Sequence, residues 1–381
     1  MNVSDSERIA GFLEAQKFKL AKDITKADLV VFNTCGVRQT AEDRVYGQIH
    51  NLRKNNPKIK IILTGCLANR KDVQRKLKDK VDLFCEIKDF PKTLGVASLR
   101  HRVSKSVSKS NRNYLCITPK YSNELSAYVP IMTGCNNFCS YCVVPYARGR
   151  EISRPAQDIL KEITDLAKND CKEITLLGQN VNSYQFKLSL PRRRESSVKI
   201  KFRDWIPAFA GMTEATFPNL LNLLATAYPK ITFKFLTSHP KDFSQELMKV
   251  IAKNKNISRE IHLPIQAGSN KILKAMNRPY TQKHYLNLIQ KTRKIIPDAS
   301  FTTDVIVGFP GETEKDFQET VKVFKKVNYN EAYINKYSPR PGTAAYKLKD
   351  SISWDEKKRR EKVLRELVNN CHSRVGGNLV S

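Results

Sequence analysis

TGCNNFCSYCVVPYARGREISRP, residues 133 to 155, is the stretch around which the chain is organised. Cys135, Cys139 and Cys142 stand in it with three and then two residues between them, so three thiolates share one small volume on one loop. Three thiolates anchor three irons of a four-iron cluster and leave the fourth iron open to a small chelating ligand. A site of that kind is reactive and not merely structural. Tyr141, directly before the third cysteine, is expected to put a ring beside the open corner.

On either side of this loop, short apolar runs alternate with amphipathic ones. YVPIM (Tyr128 to Met132) leads into the loop, and a helix is expected from about Ala156 to Ala167. Strands then read at Glu173 to Gly178, Phe233 to Thr237, Ile261 to Ile265, Thr302 to Gly308 and Ala332 to Tyr337. Helices are expected near Leu220, from Phe243 to Ala252, near Tyr285 to Ile295, near Asp316 to Val327 and from Trp354 to Leu367. Strand-then-helix repetition argues for parallel strands curled towards a barrel, with working residues on loops at the carboxyl ends of the strands. The cysteine loop follows the first such strand. The fold class expected is therefore α/β, a partial (β/α)6 barrel over residues 121 to 370, preceded by a small open α/β sheet domain over residues 1 to 100.

In that first domain, Ser4 and Glu7 have capping-box spacing, and Ile9, Phe12, Leu13 and Phe18 recur at near-helical intervals, so a helix is expected almost at residue 1. DLVVFN (Asp28 to Asn33) and KIKIILT (Lys58 to Thr64) read as buried strands, with a helix from about Gln39 to Leu52 between them. Cys35 and Cys66 each sit just beyond a strand, at the edge where open α/β sheets hold ligands. One cysteine there is more often a small buried hydrophobe; two at equivalent positions favour a shared site. Cys85 and Cys116 have no partner at ligand spacing and are expected to pack.

A net charge of +30 and a pI near 9.8 favour an anionic partner, nucleic acid first, against the alternative of a solvated basic surface. Nine cysteines without a secretory signal or a long apolar run imply reduced thiols and metal ligands in a cytoplasmic protein with no membrane association. Three stretches fall outside the periodic pattern. Residues 101 to 120 read as a linker, polar and basic over 101 to 113. Residues 187 to 216 form an insert carrying Arg192, Arg193, Arg194, Lys199, Lys201 and Arg203, and residues 371 to 381 an irregular tail. The insert suits either RNA contact or a surface excursion that the fold tolerates, and the second reading is preferred.

CxxxCxxC with an aromatic residue before its last cysteine resembles the radical S-adenosylmethionine superfamily. VVPYARGREISRP, LGQNVNSY (177 to 184), TSHP (237 to 240), HLPIQAGS (262 to 269), GFPGET (308 to 313) and YSPRPGT (337 to 343) resemble the tRNA methylthiotransferases of the MiaB type. The resemblance implies that Cys135, Cys139 and Cys142 hold a [4Fe-4S] cluster whose open iron chelates S-adenosylmethionine. Reductive cleavage of that cofactor then yields a 5′-deoxyadenosyl radical. It implies methylthiolation of carbon 2 of an isopentenylated adenosine beside the anticodon. The partners implied are tRNA and an electron donor such as a flavodoxin or ferredoxin, with the chain acting as a monomer. Backbone groups of Gly178, Gln179 and Asn180 are placed by it at the amino acid part of the cofactor, and Tyr141, Gly308 and Glu312 at its adenine. Arg148 and Arg150 follow the cysteine loop closely and suit pairing with a carboxylate or a phosphate, against the alternative of surface salt bridges.

The resemblance also implies a second cluster on three amino-terminal cysteines. Cys35 and Cys66 match two, and Met1-Asn2 matches the end of the Gly-Cys-Gln-Met-Asn motif that carries the third. A second site short of one thiolate is thus expected, together with an unpaired sheet edge, exposed apolar surface, and no carboxyl-terminal RNA-binding β-barrel. The alternatives are a catalytically impaired copy that at most binds tRNA, and a methylthiotransferase for threonylcarbamoyl-adenosine tRNA or a ribosomal protein.

Overall fold

In the computed structural model the described residues are 1–36, 39–96, 114–187 and 214–376. Residues 101–113, the cationic cluster from Arg192 to Arg203 and residues 377–381 lie outside them. The chain divides into two compact units. The first comprises Met1–Glu124, Thr133–Glu151 and Ser338–Lys349, and the second Leu125–Met132, Ile152–Tyr337 and Asp350–Ser381.

The first unit is built on three parallel strands in the order β1 (Leu29–Thr34), β2 (Lys60–Gly65) and β3 (Leu83–Phe84). Successive residues of β2 serve opposite faces, as the period of a strand requires. Ile61 and Leu63 join Val30, Phe32, Ile49 and Leu52 beneath α2 (Gln39–Asn55) and α3 (Lys71–Leu77). Ile62 joins Ile9 and Phe12 of α1 (Asn2–Ala15), Phe90 of α4 (Phe90–Val96), Cys85, Tyr114, Leu115 and Ile117 on the other face. Each fully buried aliphatic or aromatic side chain contributes about 1.5–3 kcal/mol, and the two layers hold the carboxyl ends of β1 and β2 side by side.

Several expectations change here. Helix α1 starts at Asn2 as expected, but no side chain caps it. The Glu7 carboxylate instead accepts from the backbone and hydroxyl of Ser122, at 3.0 and 2.6 Å, because a distant chain segment reaches it first. Tyr114, Leu115 and Ile117, expected in a linker, are core residues. Cys85 is buried as expected, whereas Cys116, in the same turn as Tyr114, is exposed. Strand β1 is a sheet edge, flanked by a groove of about 1000 Å³ lined by Ile9, Leu13, Phe18, Leu29 and Val31. Leu20, in that groove, is 89% exposed.

The second unit carries β4 (Ser126–Pro130), β5 (Glu173–Leu177), β8 (Thr232–Phe235), β9 (Glu260–His262), β10 (Ser300–Val307) and β11 (Glu331–Lys336). All are parallel to their neighbours, in two sheets ordered β8-β5-β4 and β9-β10-β11. Phe233 of β8 bridges to Ile257, donating to Asn256 O at 2.8 Å and accepting from Ser258 N at 2.9 Å. The strands thus run in chain order as an open, partial barrel, and among the described residues no closed barrel forms. The connecting helices are α6 (Ala156–Lys168), α7 (Phe217–Ala227), α8 (Gln245–Lys253), α9 (Asn270–Ala275), α10 (Gln282–Ile295), α11 (Glu314–Val327) and α12 (Trp354–Gly376). Helix α9 has no counterpart among the expected elements, and α12 runs on through Cys371 and His372, where an irregular tail was expected.

The insert begins and ends in an antiparallel pair, β6 (Gln185–Lys187) with β7 (Glu214–Thr216). Pairing Gln185 with Thr216 brings the two ends together. A long excursion between paired ends adds little closure entropy to the barrel.

Candidate functional site

All five candidate cluster cysteines fall in the first unit. Thr34 pairs with Gly65 in the sheet, so Cys35 and Cys66 follow their strands at the same level, and Cys66 N donates to Thr34 O at 2.9 Å. A methyl group built on Gly36 would stand 3.1 Å from Cys66 Cβ and 3.5 Å from Val143 Cγ2. The end of β1, Cys66 and the residue after Cys142 are therefore stacked together. Cys85 is out of this arrangement. It lies level with Thr64 and among apolar side chains, where burial pushes its thiol up to about 11.

The cysteine loop is shaped by its backbone. Gly134 has φ +78°, and a Cβ there would lie 2.0 Å from Arg150 O. Cys135 N donates to Gly149 O at 3.2 Å and closes the loop at its base. Cys142 N donates to Cys139 O at 2.9 Å, a turn that draws those two thiols together, and α5 (Val144–Arg148) follows. Phe138 has a φ of +48° and lies beneath the Arg150 guanidinium, 4.5 Å from its ring centroid. Tyr141 is half-buried on the same turn.

Burial raises the Cys142 thiol to about 12; the Val144 amide works against this, and Cys139, Cys135 and Cys66 add to it. Cys135 is raised too, first by burial. These thiols therefore feel one another, and metal binding must displace their protons. Among the described residues no three His, Cys, Asp or Glu side chains converge on the position of one metal ion. A four-iron cluster takes each thiolate at a separate corner, so a single meeting point is not required.

Arg148 ends α5 and forms a 2.6 Å ion pair with Asp5 of α1, the two side chains being 4% and 0% exposed. The carboxylate it meets is the chain's own, so the pair is a salt bridge, and it is buried where a surface one was the alternative. Nη1 of Arg148 and Oδ1 of Asp5 have no hydrogen-bond partner. The Arg148 guanidinium lies within electrostatic reach of Cys66, and that of Arg340 within reach of Cys35. Arg340 Nη1 donates to Gln39 Oε1 at 2.9 Å and lies 3.6 Å from Glu42, which also binds Arg70 at 2.6 Å. Ala345 N donates to Ser140 O at 2.7 Å, so the segment carrying Arg340 is also tied to the cysteine loop. Three cysteine thiols on one closed loop, with Cys142 under the influence of Cys139 and Cys135, are a donor set that fits an iron-sulfur group.

In the second unit, Gly178, Gln179 and Asn180 follow β5, and a Cβ on Gly178 would lie 2.5 Å from Met132 Cγ. Asn180 Nδ2 donates to Asp242 at 2.7 Å, and Thr237 Oγ1 to Gly178 O at 2.6 Å, which stitches this loop to the one after β8. Gln179 Oε1, Asn180 Oδ1, Asn182 Nδ2 and His239 Nε2 are buried without hydrogen-bond partners. Four orphaned polar atoms thus lie on two neighbouring loops at the carboxyl ends of the strands, the end at which barrels of this kind hold their ligands. His239 stands in the TSHP motif, and the sequence held no sign that its ring would be buried.

Gly308 and Glu312 are tied to each other and to α12. The Glu312 carboxylate accepts from Gly308 N at 2.6 Å and from Arg360 of α12 at 2.7 Å, and burial raises it. A Cβ on Gly308 would meet Lys357 Cγ at 2.3 Å. These contacts fix the shape of the GFPGET loop against α12.

The Radical SAM superfamily profile matches residues 129–324, and that of the Uncharacterized protein family UPF0004 matches residues 1–86. The chain is a radical S-adenosylmethionine protein, a class whose cofactors are a [4Fe-4S] cluster and S-adenosylmethionine. It is 43% identical over 368 residues to the tRNA-2-methylthio-N(6)-dimethylallyladenosine synthase of Syntrophomonas wolfei, covering 94% of this chain and 78% of the relative. With that of Thermoanaerobacter pseudethanolicus the identity is 42% over 379 residues, covering 97% and 76%. The chain belongs to the tRNA-2-methylthio-N(6)-dimethylallyladenosine synthase family. Among solved structures, the radical S-adenosylmethionine methyltransferase TsrM from Kitasatospora setae superposes with a TM-score of 0.56 at 13% identity, covering 88% of this chain and 68% of that one. The enzyme OxsB gives 0.51 at 12%, covering 97% and 50%. Both likenesses concern the fold alone. Among the described residues no helix is long and apolar enough to cross a membrane.

Proposed function

We propose that the chain methylthiolates carbon 2 of N6-dimethylallyladenosine in tRNA, exchanging the C2 hydrogen for a sulfur and a methyl group. The observation that carries the reading is the loop bearing Cys135, Cys139 and Cys142 in a chain over 40% identical across its length to synthases of that name. When bound, the cluster and S-adenosylmethionine supply the radical that removes the hydrogen.

The chain's own residues hold and shape the site. Cys135, Cys139 and Cys142 hold the cluster, and Tyr141 borders it. Backbone groups of Gly178, Gln179 and Asn180 meet the amino acid part of the cofactor. Gly308 and Glu312 set the loop at its adenine. Cys35 and Cys66 hold a second iron-sulfur group that requires a ligand besides them, and Arg148 and Arg340 offset the charge of its thiolates. The electron donor is of flavodoxin or ferredoxin type, and the chain acts as a cytoplasmic monomer.

Anaerobic reconstitution tests the cluster assignment directly. Iron should bind at about four per chain in a stable form if one cluster assembles, and at about eight if two do. Protein that binds no stable iron would overturn the reading.

A further inference from the structure

In the second unit, the loops after β5 and β8 present a donor and an acceptor whose identities the protein has fixed. His239 is 3% exposed. Its Nδ1 accepts the Lys241 amide at 3.3 Å, which leaves the ring hydrogen on Nε2, and Nε2 has no hydrogen-bond partner. Burial, reinforced by Arg278 and Lys241, lowers the imidazole to about 2, so it is a neutral donor at working pH. Asn180 is 2% exposed. Its Nδ2 is committed to the Asp242 carboxylate at 2.7 Å, which accepts only, so Oδ1 is the free acceptor, and it too is orphaned. Asp242 joins the two, since its backbone N–H donates to His239 O at 2.9 Å. Tyr280 packs edge-on against His239 with ring centroids 5.6 Å apart and fixes the plane of the imidazole.

We propose that His239 Nε2–H and Asn180 Oδ1 together bind the amino edge of the substrate adenine. His239 donates to a ring nitrogen beside the exocyclic amine, and Asn180 accepts the single N6 hydrogen that alkylation leaves. An adenine edge offers an acceptor next to a donor, the complement of this pair. A buried donor and a buried acceptor left unpaired discriminate strongly, because a base lacking either group leaves its partner desolvated. Carbon 2 carries no group that these two atoms bind, so the edge is held while the reacting carbon stays free. The assignment rests on the proposed reaction. It concerns the Asn180 side chain and leaves its backbone for the cofactor. S-adenosylmethionine also contains adenine, and the test separates the two sources.

Reconstituted wild-type protein and the variants His239→Leu and His239→Gln are titrated with S-adenosylmethionine and, separately, with an anticodon stem-loop. The stem-loop carries N6-dimethylallyladenosine, or in its place purine riboside, which lacks the amine. Wild type should bind the adenosine stem-loop about tenfold more tightly than the purine form. His239→Leu should weaken stem-loop binding by about tenfold while S-adenosylmethionine affinity stays within about twofold, and His239→Gln, which keeps an N–H at similar reach, should restore most of the loss. Loss of S-adenosylmethionine affinity instead would assign the pair to the cofactor and overturn the proposal. Equal wild-type affinity for the two stem-loops would also overturn it, even if His239→Leu fails to fold. Because binding is read without turnover, absence of methylthiolation in the wild type counts against the reaction and not against base recognition.

Discussion

Replacing Arg148 by Met tests how the cysteine loop is held. The Arg148–Asp5 pair is 2.6 Å long with side chains 4% and 0% exposed, and it joins the loop to α1. Removing one partner of such a pair leaves a buried charge alone and destabilises by about 3–5 kcal/mol, about two to four powers of ten in the equilibrium constant. The loss should fall on the first unit. Hydrogen–deuterium exchange should show α1 and residues 133–151 opening about a hundredfold more readily or worse, while β10 and α11 keep their protection. Urea denaturation gives the total. Replacing both partners, Asp5→Leu with Arg148→Met, should recover about half of the loss or more, since an apolar pair carries no desolvation penalty. A loss below about 1 kcal/mol in Arg148→Met would place the pair in solvent-like surroundings and refute this account of the loop.

Three other perturbations have outcomes fixed by the same structure. His239 titrates at about 2 against an ordinary 6.5. Its contribution to stability is therefore complete above the ordinary value and declines as pH falls towards the folded one, by about 1.4 kcal/mol per pH unit. The urea midpoint of His239→Gln should be flatter with pH than that of the wild type below pH about 6.5, and parallel profiles would contradict the assignment. Gly134→Ala places a Cβ 2.0 Å from Arg150 O at φ +78°, so the variant should lose iron on gel filtration even if it stays folded. Cys139→Ala should lose the stable iron, whereas Cys85→Ala should keep it and only unfold earlier. Iron loss in Cys85→Ala would make Cys85 a ligand.

The partial barrel was legible because strands buried on both faces read as short apolar runs, and the carboxyl-end rule located the cysteine loop. What stayed hidden depends on distant chain segments. Glu7 has capping-box spacing, yet Ser122 takes its carboxylate. Tyr114 follows a basic stretch and looks like linker, yet it fills the core beneath β2. Helix α12 continues past Leu367, where the residues have little to bury, and no local signal gave its length. At the site, the cysteine spacing announced itself, while Arg148 could be assigned a carboxylate but not Asp5. His239 stands out in the sequence only as part of TSHP. Its role depends on a buried ring with one nitrogen satisfied and one not, which no sequence pattern records.

By the proposed function, this chain places sulfur and methyl on carbon 2 of the isopentenylated adenosine. Reconstituted protein, a reductant, S-adenosylmethionine, sulfide and tRNA carrying N6-dimethylallyladenosine should yield the 2-methylthio nucleoside on mass spectrometry of digested tRNA, and Cys139→Ala should yield none. Stable iron and 5′-deoxyadenosine formation with the tRNA left unchanged would contradict it.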